Sequence, residues 1–404
     1  MKLLIKVLII FLTTLPFAKT SFAADDEIIV WNRGGWGEWV VEGFNKKMEA
    51  EGRALRAIST LNPGDDFVLK FNAALSAGER IDIGAFGTND LPNYAAMGAL
   101  TDITDFVTGL DYFDKLNPIH LKQGTLDGRY YAIPNAADVS AFVYNKKLMP
   151  TPPKDWAEML SMCKDFAAKG QIMIAWPTKS PGGMRFTGLP MAWANGGSYT
   201  SDDGKTAQFN HPKNIEWIEH YKDLVDAGCV PENISVWDWG DKQNGFLAGD
   251  IAMIGTGNFL MGVVRDHTDT VDAGFIPFMS KDGSMTSSYV GGDGISIPVT
   301  VGNMEGAKEY LQYALSPDVQ IEIYSKNGGL PVRSDLIDNN PYLTEDSQMF
   351  LAESRIGYAP YLKPYHEISD VIVTAFQRVM AGEDAQTAFD EANVTFQGIL
   401  DAAN

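Results

Sequence analysis

The chain has 404 residues, of which 45% are hydrophobic and 21% charged, a composition that is typical of a globular protein and argues against a disordered or fibrous one. This length suggests two domains of about 150–200 residues each. Acidic residues number 52 against 32 Lys and Arg, which gives a formal net charge of −20 at pH 7. Because a surface this acidic repels polyanions, we expect no binding to nucleic acid or to an anionic membrane.

Residues 1–23 have the pattern of a secretory signal peptide. Lys2 and Lys6 precede a short apolar run, and Ser21 with Ala23 fits the small-x-small rule for cleavage after Ala23. The run is shorter than the ~20 residues that span a bilayer, and no later stretch approaches that length. A buried N-terminal helix or an anchor is the alternative interpretation. We expect an exported, soluble mature protein, periplasmic where the cell has two membranes.

Strands and helices alternate in the first part of the mature chain. Glu27–Trp31 is a predicted buried strand, followed by a glycine-rich turn and a helix over 38–48. Phe67–Leu75 is a second helix, a second buried strand begins at Ile81, and Leu91–Met97 is helical again. This alternation predicts an α/β protein with a mostly parallel sheet.

Further elements follow along the chain, and three segments are predicted to cross between the two domains. The crossings are Tyr130–Asn145, which reads as a strand, a proline-containing break and a second strand, then Gly291–Pro298 and Gly328–Arg333. Several crossings without a flexible linker indicate a hinge. The remaining predicted strands and helices are Trp156–Ala168, Ile172–Trp176, Ile215–Ala227, Gln243–Ala248, Ile251–Ile254, Asn303–Leu315 and Gln386–Leu400.

The cysteines and glycines point to no cofactor. Cys163 and Cys229 could form one disulfide in an oxidising compartment, and two buried free thiols are an equally good interpretation. Together with five scattered His they show no metal-ligand spacing, so no metal is predicted. The glycines at positions 34, 35 and 37 match neither a dinucleotide fingerprint nor a phosphate-binding loop.

The common catalytic signatures are missing from the sequence. It contains no G-x-S-x-G and no H-E-x-x-H, and none of its His lies beside a nucleophile motif. Acidic residues are abundant, so the sequence does not exclude a glycosidase-type carboxylate pair. We therefore predict a non-enzymatic protein, with an exported glycosidase or lyase as the alternative class.

Polar residues follow several predicted strands. Ligands of open α/β sheets bind beyond the carboxyl ends of the strands. The candidate ligand contacts at these positions are Asn32, Arg33, Thr88, Asn89 and Asn258.

Two tryptophans lie in the polar turn Ser-Val-Trp-Asp-Trp-Gly-Asp. The rings of Trp237 and Trp239 could lie against the C–H faces of a sugar, or they could be packing residues, and the sequence favours neither interpretation.

The chain resembles the carbohydrate-type (family 1) extracellular solute-binding proteins of ABC importers. The resemblance covers nearly all of the mature chain and is carried by the order and spacing of five segments. These are the residues 97–103 (MGALTDI), 131–148 (YAIPNAADVSAFVYNKKL), 246–253 (FLAGDIAM), 291–298 (GGDGISIP) and 328–333 (GGLPVR). It implies a two-lobed periplasmic-binding-protein (type II-like) fold with hinge crossings and an interlobe ligand cleft. We expect one lobe at 24–134 plus 294–332 and the other at 135–293 plus 333–404.

The resemblance also implies further ligand-binding positions, and it places Arg333 at the hinge. Members often carry a tryptophan where this chain has Asn258-Phe259, which puts a second stacking platform in doubt. The positions that match the family pattern are Asp65 or Asp66, Ala137 with Asp138, Trp239, Asp293, Asn327 and Tyr358.

The predicted function is that of a high-affinity carbohydrate receptor that delivers a sugar or small oligosaccharide to an ABC importer permease by hinge closure. The same fold with a sugar acid, polyamine or osmolyte as solute is the alternative. The partners implied are the solute and the membrane permease, and we expect a monomer.

Overall fold

The computed structural model describes residues 26–62, 66–176, 179, 181–201, 203–358 and 365–403. The predicted signal peptide and Asp65 lie outside the described residues. Among those residues, no helix is long and apolar enough to cross a membrane. The same ranges contain no cluster of three His, Cys, Asp or Glu that could hold a metal ion.

The strands alternate with helices along the chain. The strands are β1 (Glu27–Asn32), β2 (Arg56–Leu61), β3 (Ile83–Gly87), β4 (Thr125–Leu126), β5 (Arg129–Tyr130), β6 (Ala132–Asn145), β7 (Ile172–Ala175), β8 (Ile251–Gly257), β9 (Ala273–Ile276), β10 (Phe278–Met279), β11 (Thr286–Ser287) and β12 (Val290–Ser296). The helices are α1 (Gly35–Ala50), α2 (Asp66–Ser76), α3 (Leu91–Ala96), α4 (Thr104–Thr108), α5 (Pro118–Gln123), α6 (Trp156–Ala167), α7 (Pro181–Gly183), α8 (Leu189–Ala194), α9 (Pro212–Asp226), α10 (Trp239–Leu247), α11 (Leu260–Val263), α12 (Met304–Ala314), α13 (Pro317–Val319), α14 (Glu345–Ile356), α15 (Tyr365–Met380) and α16 (Ala385–Ala403).

One continuous sheet path joins two lobes, in the strand order β2-β1-β3-β12-β6-β8-β7, and β9 also pairs with β6. The first lobe contains β1, β2 and β3, which pair in parallel. The second lobe contains β8, which is parallel to β7, and β9. The long strands β6 and β12 run antiparallel to each other and to their neighbours, and they link the lobes. The expected two-lobed α/β architecture is therefore confirmed, although the sheet is parallel only within each lobe.

Helices cover both lobes through apolar faces. In the first lobe, α1 buries Val40, Val41, Phe44 and Met48, a stripe at helical spacing, and α12 packs against α1 and β1. In the second lobe, α6 and α9 pack together, and the three C-terminal helices continue this layer. Helix α14 contacts β6 and β9, α15 contacts α7 and α9, and α16 contacts α9 and α15.

The first predicted crossing is one strand of 14 residues and not two strands with a break. Pro134 lies inside β6, opposite Gly294, and the ladder shifts register between Asp293 and Gly294 so that Asn135 has no opposite residue. Proline lacks an N–H to donate and is tolerated in sheets at such irregularities. The bulge thus allows the strand to continue through the proline.

The two cysteines form a disulfide, which decides between the two interpretations that the sequence left open. Cys163 in α6 is bonded to Cys229, and their Cα atoms are 5.2 Å apart. The backbone of Met173 in β7 donates to the carbonyl of Cys229, so the bond ties α6 to a segment that runs beside β7.

Candidate ligand-binding cleft

A cavity of about 600 Å³ lies between the lobes. The first lobe contributes Arg33, Phe67, Asn72, Asn89 and Asp90, and the crossing strands contribute Asp138 and Gly292. The second lobe contributes Arg185, Phe186, Trp239, Phe259, Tyr289 and Asp370. Both lobes and both crossing strands therefore line this cavity.

A second depression, of about 740 Å³, lies on the outer surface of the first lobe. Its lining includes Arg53 and Glu309, which are bonded to each other and half exposed. This depression touches one lobe only and is wide open, so we place the candidate site in the interlobe cleft.

The polar end of the cleft is built around Arg33, which directly follows β1. Its Nε donates to Oδ1 of Asp293 in β12 at 2.6 Å, and a second nitrogen forms an ion pair with the same oxygen. The guanidinium lies over Gly87 at the end of β3, where a Cβ would come within 3.2 Å of it. A glycine at that position thus leaves room for the arginine to reach across to the crossing strand.

Asp138 in β6 lies beside this ion pair. Its carboxylate makes no hydrogen bond among the described residues, and it shares the cleft with Asp293 and Arg33. Burial, and to a smaller extent the charge of Asp293, raise the pKa of Asp138 to about 7, although Arg33 opposes this shift. The carboxyl group is therefore available to a ligand and titrates near neutral pH.

Aromatic rings form the opposite wall of the cleft. Phe186, Trp239, Phe259 and Tyr289 contact one another with ring centroids 5.4–6.1 Å apart. Gly257 at the end of β8 makes this packing possible, since a Cβ there would lie 2.6 Å from Phe259 and 2.9 Å from Phe186. Such a wall can pack against the apolar face of a sugar ring.

Local sequence holds Trp239 and Phe186 in place. Trp239 is the first residue of α10, whose N-terminus is closed by a capping box between Asp238 and Asp241. Phe186 lies in the π-helical turn Met184–Gly188 between α7 and α8. Such turns redirect side chains and are frequent at functional sites.

Two hydrogen bonds occupy other polar groups that line the cleft. The hydroxyl of Tyr289 donates to Oδ1 of Asn89, which joins the second lobe to the first. Arg185 donates to the hydroxyl of Ser369, within the second lobe.

Four of the residues predicted from the sequence line the cleft, and a fifth contacts one of them. Arg33, Asn89, Asp138 and Trp239 line it, and Asp293 holds Arg33. Their contact with a ligand stays a prediction.

Two other polar strand-end residues are buried outside the cleft lining. The amide of Asn32 donates to Ser59 at 3.0 Å and to Glu38 at 3.4 Å, and Asn32 is buried. Thr88 is buried, and its backbone N–H bonds the carbonyl of Gly292. Neither lines the cleft, so these two residues shape the strand ends behind it.

Asn258 is a correction of the same kind. Its side chain is fully buried, accepts from the N–H of Val139 at 2.7 Å and donates to the carbonyl of Ala137 at 3.1 Å. Both ends of the amide thus bond β6, and Asn258 does not line the cleft.

Trp237, Asn327 and Tyr358 also lie outside the cleft lining. Trp237 follows the turn Ile234–Val236 and packs on the hydrophobic core, which favours the packing interpretation for this tryptophan. Asn327 donates to the carbonyl of Ile323 at 2.7 Å. Tyr358 is 44% exposed and packs against Trp193.

The remaining assignments concern α2 and the hinge. Asp66 begins α2, next to the cleft residue Phe67. Arg333 lies with its guanidinium 3.8 Å from the ring centroid of Tyr112 and donates to the carbonyl of Leu315. It does not line the cleft, in keeping with the anchoring role that the resemblance implies.

Sequence reasoning missed most of the aromatic wall. Phe186 lies in a turn with no strand before it, and Tyr289 precedes a crossing strand, so the rule of polar strand ends identified neither. Phe259 occupies the place where the family often has tryptophan, and its ring lines the cleft. Phe259 thus offers an aromatic ring at this position, and its stacking on a ligand stays a prediction.

Comparisons with known proteins identify relatives that are named as binding proteins. A maltotriose-binding protein from Pyrococcus abyssi is 25% identical over 72% of this chain and 63% of its own. A protein from Brucella abortus that is named as a binding protein is 24% identical over 85% of each chain. Among solved structures, an ABC transporter solute-binding protein from Thermotoga lettingae with bound alpha-D-tagatose has a TM-score of 0.84 at 22% identity, covering 93% of this chain and 100% of its own.

The sequence profile of one family, described as bacterial extracellular solute-binding protein, matches residues 40–350. This span covers most of both lobes, both crossing strands and most of the residues that line the cleft. The chain therefore belongs to the bacterial extracellular solute-binding proteins.

Proposed function

We propose that this protein is a non-catalytic receptor that binds a neutral sugar or small oligosaccharide between its lobes and presents it to the permease of an ABC importer. One observation carries the proposal: the cleft has an aromatic wall on one side and polar groups from the other lobe and the crossing strands on the other. A sugar needs both, because its C–H faces pack on rings while its hydroxyls form paired hydrogen bonds.

The names of the relatives support a carbohydrate. One is a maltotriose-binding protein, and the structural neighbour holds tagatose. The ring wall formed by Phe186, Trp239, Phe259 and Tyr289 gives this chain the surface such solutes need.

The charges in the cleft disfavour a sugar acid. Arg33 is paired with Asp293, Arg185 is bonded to Ser369, and the carboxylates of Asp90, Asp138 and Asp370 also face the cavity. An anionic ligand would therefore meet more negative than positive groups.

Export and delivery follow from the same proposal. Cleavage after Ala23 would release the mature chain to the periplasm as a monomer of two lobes, 24–134 plus 294–332 and 135–293 plus 333–404. Solute contacts with both lobes would favour the closed hinge, which is the form that a permease would recognise.

A thermal-shift screen tests the solute class. Purified mature protein is heated with maltotriose, other neutral oligosaccharides, D-tagatose, glucuronate and putrescine, since a ligand of the native state raises the melting temperature. We expect a neutral saccharide to raise it, with a calorimetric dissociation constant of about 1 μM or lower, or about −8 kcal/mol.

Other outcomes of this screen have different meanings. A shift with glucuronate or putrescine alone would replace the neutral carbohydrate by the alternative solute class. New reducing ends released from oligosaccharides during incubation would contradict a non-catalytic receptor.

A further inference from the structure

Lys242 is a fully buried lysine next to the cleft. It lies in α10, three residues after Trp239, with none of its surface exposed. Its Nζ is 3.5 Å from the centroid of the Trp239 ring and donates to the carbonyl of Gly255 in β8. Trp239 lines the cleft whereas Lys242 does not, so the amine lies on the side of the ring that is turned away from the cavity.

This placement is unfavourable for folding. Among the described residues Lys242 forms no ion pair with a carboxylate, and burial lowers its pKa well below the ordinary value. A buried amine loses its hydration, and one carbonyl partner and an aromatic ring replace that hydration poorly. A methionine of similar length would fill the same space without that penalty.

The contacts of the amine indicate what it does. The Trp239 ring contacts the rings of Phe186 and Phe259, both at centroid distances near 6 Å. Lys242 adds a polar link from the ring face to the backbone of β8, the central strand of the second lobe. N–H groups attract the negative face of an indole, so this link resists tilting of the ring.

We propose that Lys242 is a positioning residue that holds the Trp239 ring at the orientation needed for solute stacking, although its burial destabilises the fold. The part that concerns the solute rests on the proposed function, because it requires Trp239 to be a solute contact. The holding of the ring itself does not require any solute.

The first test needs no ligand. Replacing every tryptophan by 5-fluorotryptophan gives one ¹⁹F NMR signal for each of the 9 tryptophans, and the Trp239→Phe variant assigns the signal of Trp239. In Lys242→Met we expect this signal to move and broaden while the melting temperature equals or exceeds that of the wild type. Lys164→Met, at an exposed position of α6, is the matched control and should leave the signal unchanged.

A Trp239 signal with wild-type position and width in Lys242→Met would overturn the proposal. A lower melting temperature would also overturn it, because it would make Lys242 a stabilising residue of the core.

The second test uses the saccharide with the largest thermal shift. Lys242→Met should weaken its calorimetric affinity about threefold to tenfold, which is the range expected when one side chain must be ordered on binding. Unchanged affinity together with a displaced Trp239 signal would remove the solute part of the proposal. If no saccharide binds the wild type, the proposed function fails, and the ¹⁹F spectra still decide whether Lys242 holds the ring.

Discussion

Trp237 and Trp239 are two residues apart and have different surroundings. Trp239 lines the cleft, whereas Trp237 packs on the core outside it. We expect Trp239→Ala to weaken solute binding by about 2 kcal/mol, the size of a typical interface hot spot. Trp237→Ala is the matched control, and its calorimetric affinity should stay within error of the wild type. Equal losses in both variants would mean that the effect is a general disturbance of this turn.

Asp138 makes the stability of the ligand-free protein depend on pH. Its folded pKa is raised to about 7 from the ordinary 3.8, so folding favours the protonated form. Below its unfolded pKa the carboxyl group therefore costs no folding free energy, and this cost grows as the pH rises through about 7. Asparagine mimics the protonated state at every pH.

The Asp138→Asn variant measures this penalty directly. Its melting temperature, compared with that of the wild type, should be similar near pH 4 and progressively higher as the pH rises to about 7, because only the wild type ionises. The difference should then stay constant above pH 8. A difference that is independent of pH would show that the neighbouring charges of Asp293 and Arg33 compensate the buried carboxylate.

The sequence predicted residues at the polar end of the cleft better than those of its aromatic wall. Arg33 and Asn89 follow parallel strands, and the carboxyl ends of such strands meet at one edge, so the pattern alone places them near a ligand. Asn258 obeys the same rule, but its amide bonds the neighbouring strand β6. Phe186 and Tyr289 reach the cleft through a π-helical turn and an antiparallel crossing, which no local periodicity encodes.

The disulfide links helix α6 covalently to another segment of the chain. It joins Cys163 in α6 to Cys229 across 66 residues of chain. Removing it in the double variant Cys163→Ala, Cys229→Ala should lower the free energy of unfolding by about 4 kcal/mol, from the closure entropy of a loop of this length.

Urea unfolding with and without reductant checks this expectation. Reductant should lower the unfolding midpoint of the wild type and leave that of the double variant unchanged. Neither cysteine lines the cleft, so the solute affinity measured below the transition should not change. A double variant as stable as the wild type would mean that packing around α6 suffices.

Elements with strong apolar patterns were predictable, and those with mixed patterns were not. The buried strands β1, β3 and β8 and the amphipathic helix α9 lie where the sequence predicts them. Strand β2 was missed because it is the edge strand next to β1, and only Ala57 within it is buried. Its conformation depends on pairing with β1, which is tertiary information.

The crossing strands β6 and β12 connect the two lobes. The two strands pair with each other, while β12 also pairs with β3 of the first lobe and β6 with β8 and β9 of the second. Gly292 in β12 has a φ of +125°, and a Cβ there would lie 2.1 Å from the carbonyl of Ala136. The glycine lets the two strands approach closely beside Asp138, so the hinge and the polar end of the cleft are built from the same residues.

We expect one hydrogen bond across the cleft to influence the balance between open and closed forms. The Tyr289 hydroxyl donates to Asn89 of the first lobe, while the Tyr289 ring packs on Phe186 and Trp193 of the second. Tyr289→Phe keeps the ring and removes the hydroxyl bond to Asn89, and such a bond is worth about 1 kcal/mol. The ratio of open to closed ligand-free protein should therefore rise about fivefold, since RT is about 0.6 kcal/mol.

Small-angle X-ray scattering of the ligand-free protein measures this shift. A larger radius of gyration in Tyr289→Phe than in the wild type is expected, and saturating solute should bring both to the same value, because solute contacts with both lobes replace the missing bond. Tyr342→Phe is the matched control, since it loses a hydroxyl bond to Glu322 at 2.9 Å on the exposed surface and leaves the cleft intact. If ligand-free Tyr289→Phe scatters like the wild type, the strands β6 and β12 alone set the resting angle between the lobes. The Tyr289–Asn89 bond then makes no contribution to that angle.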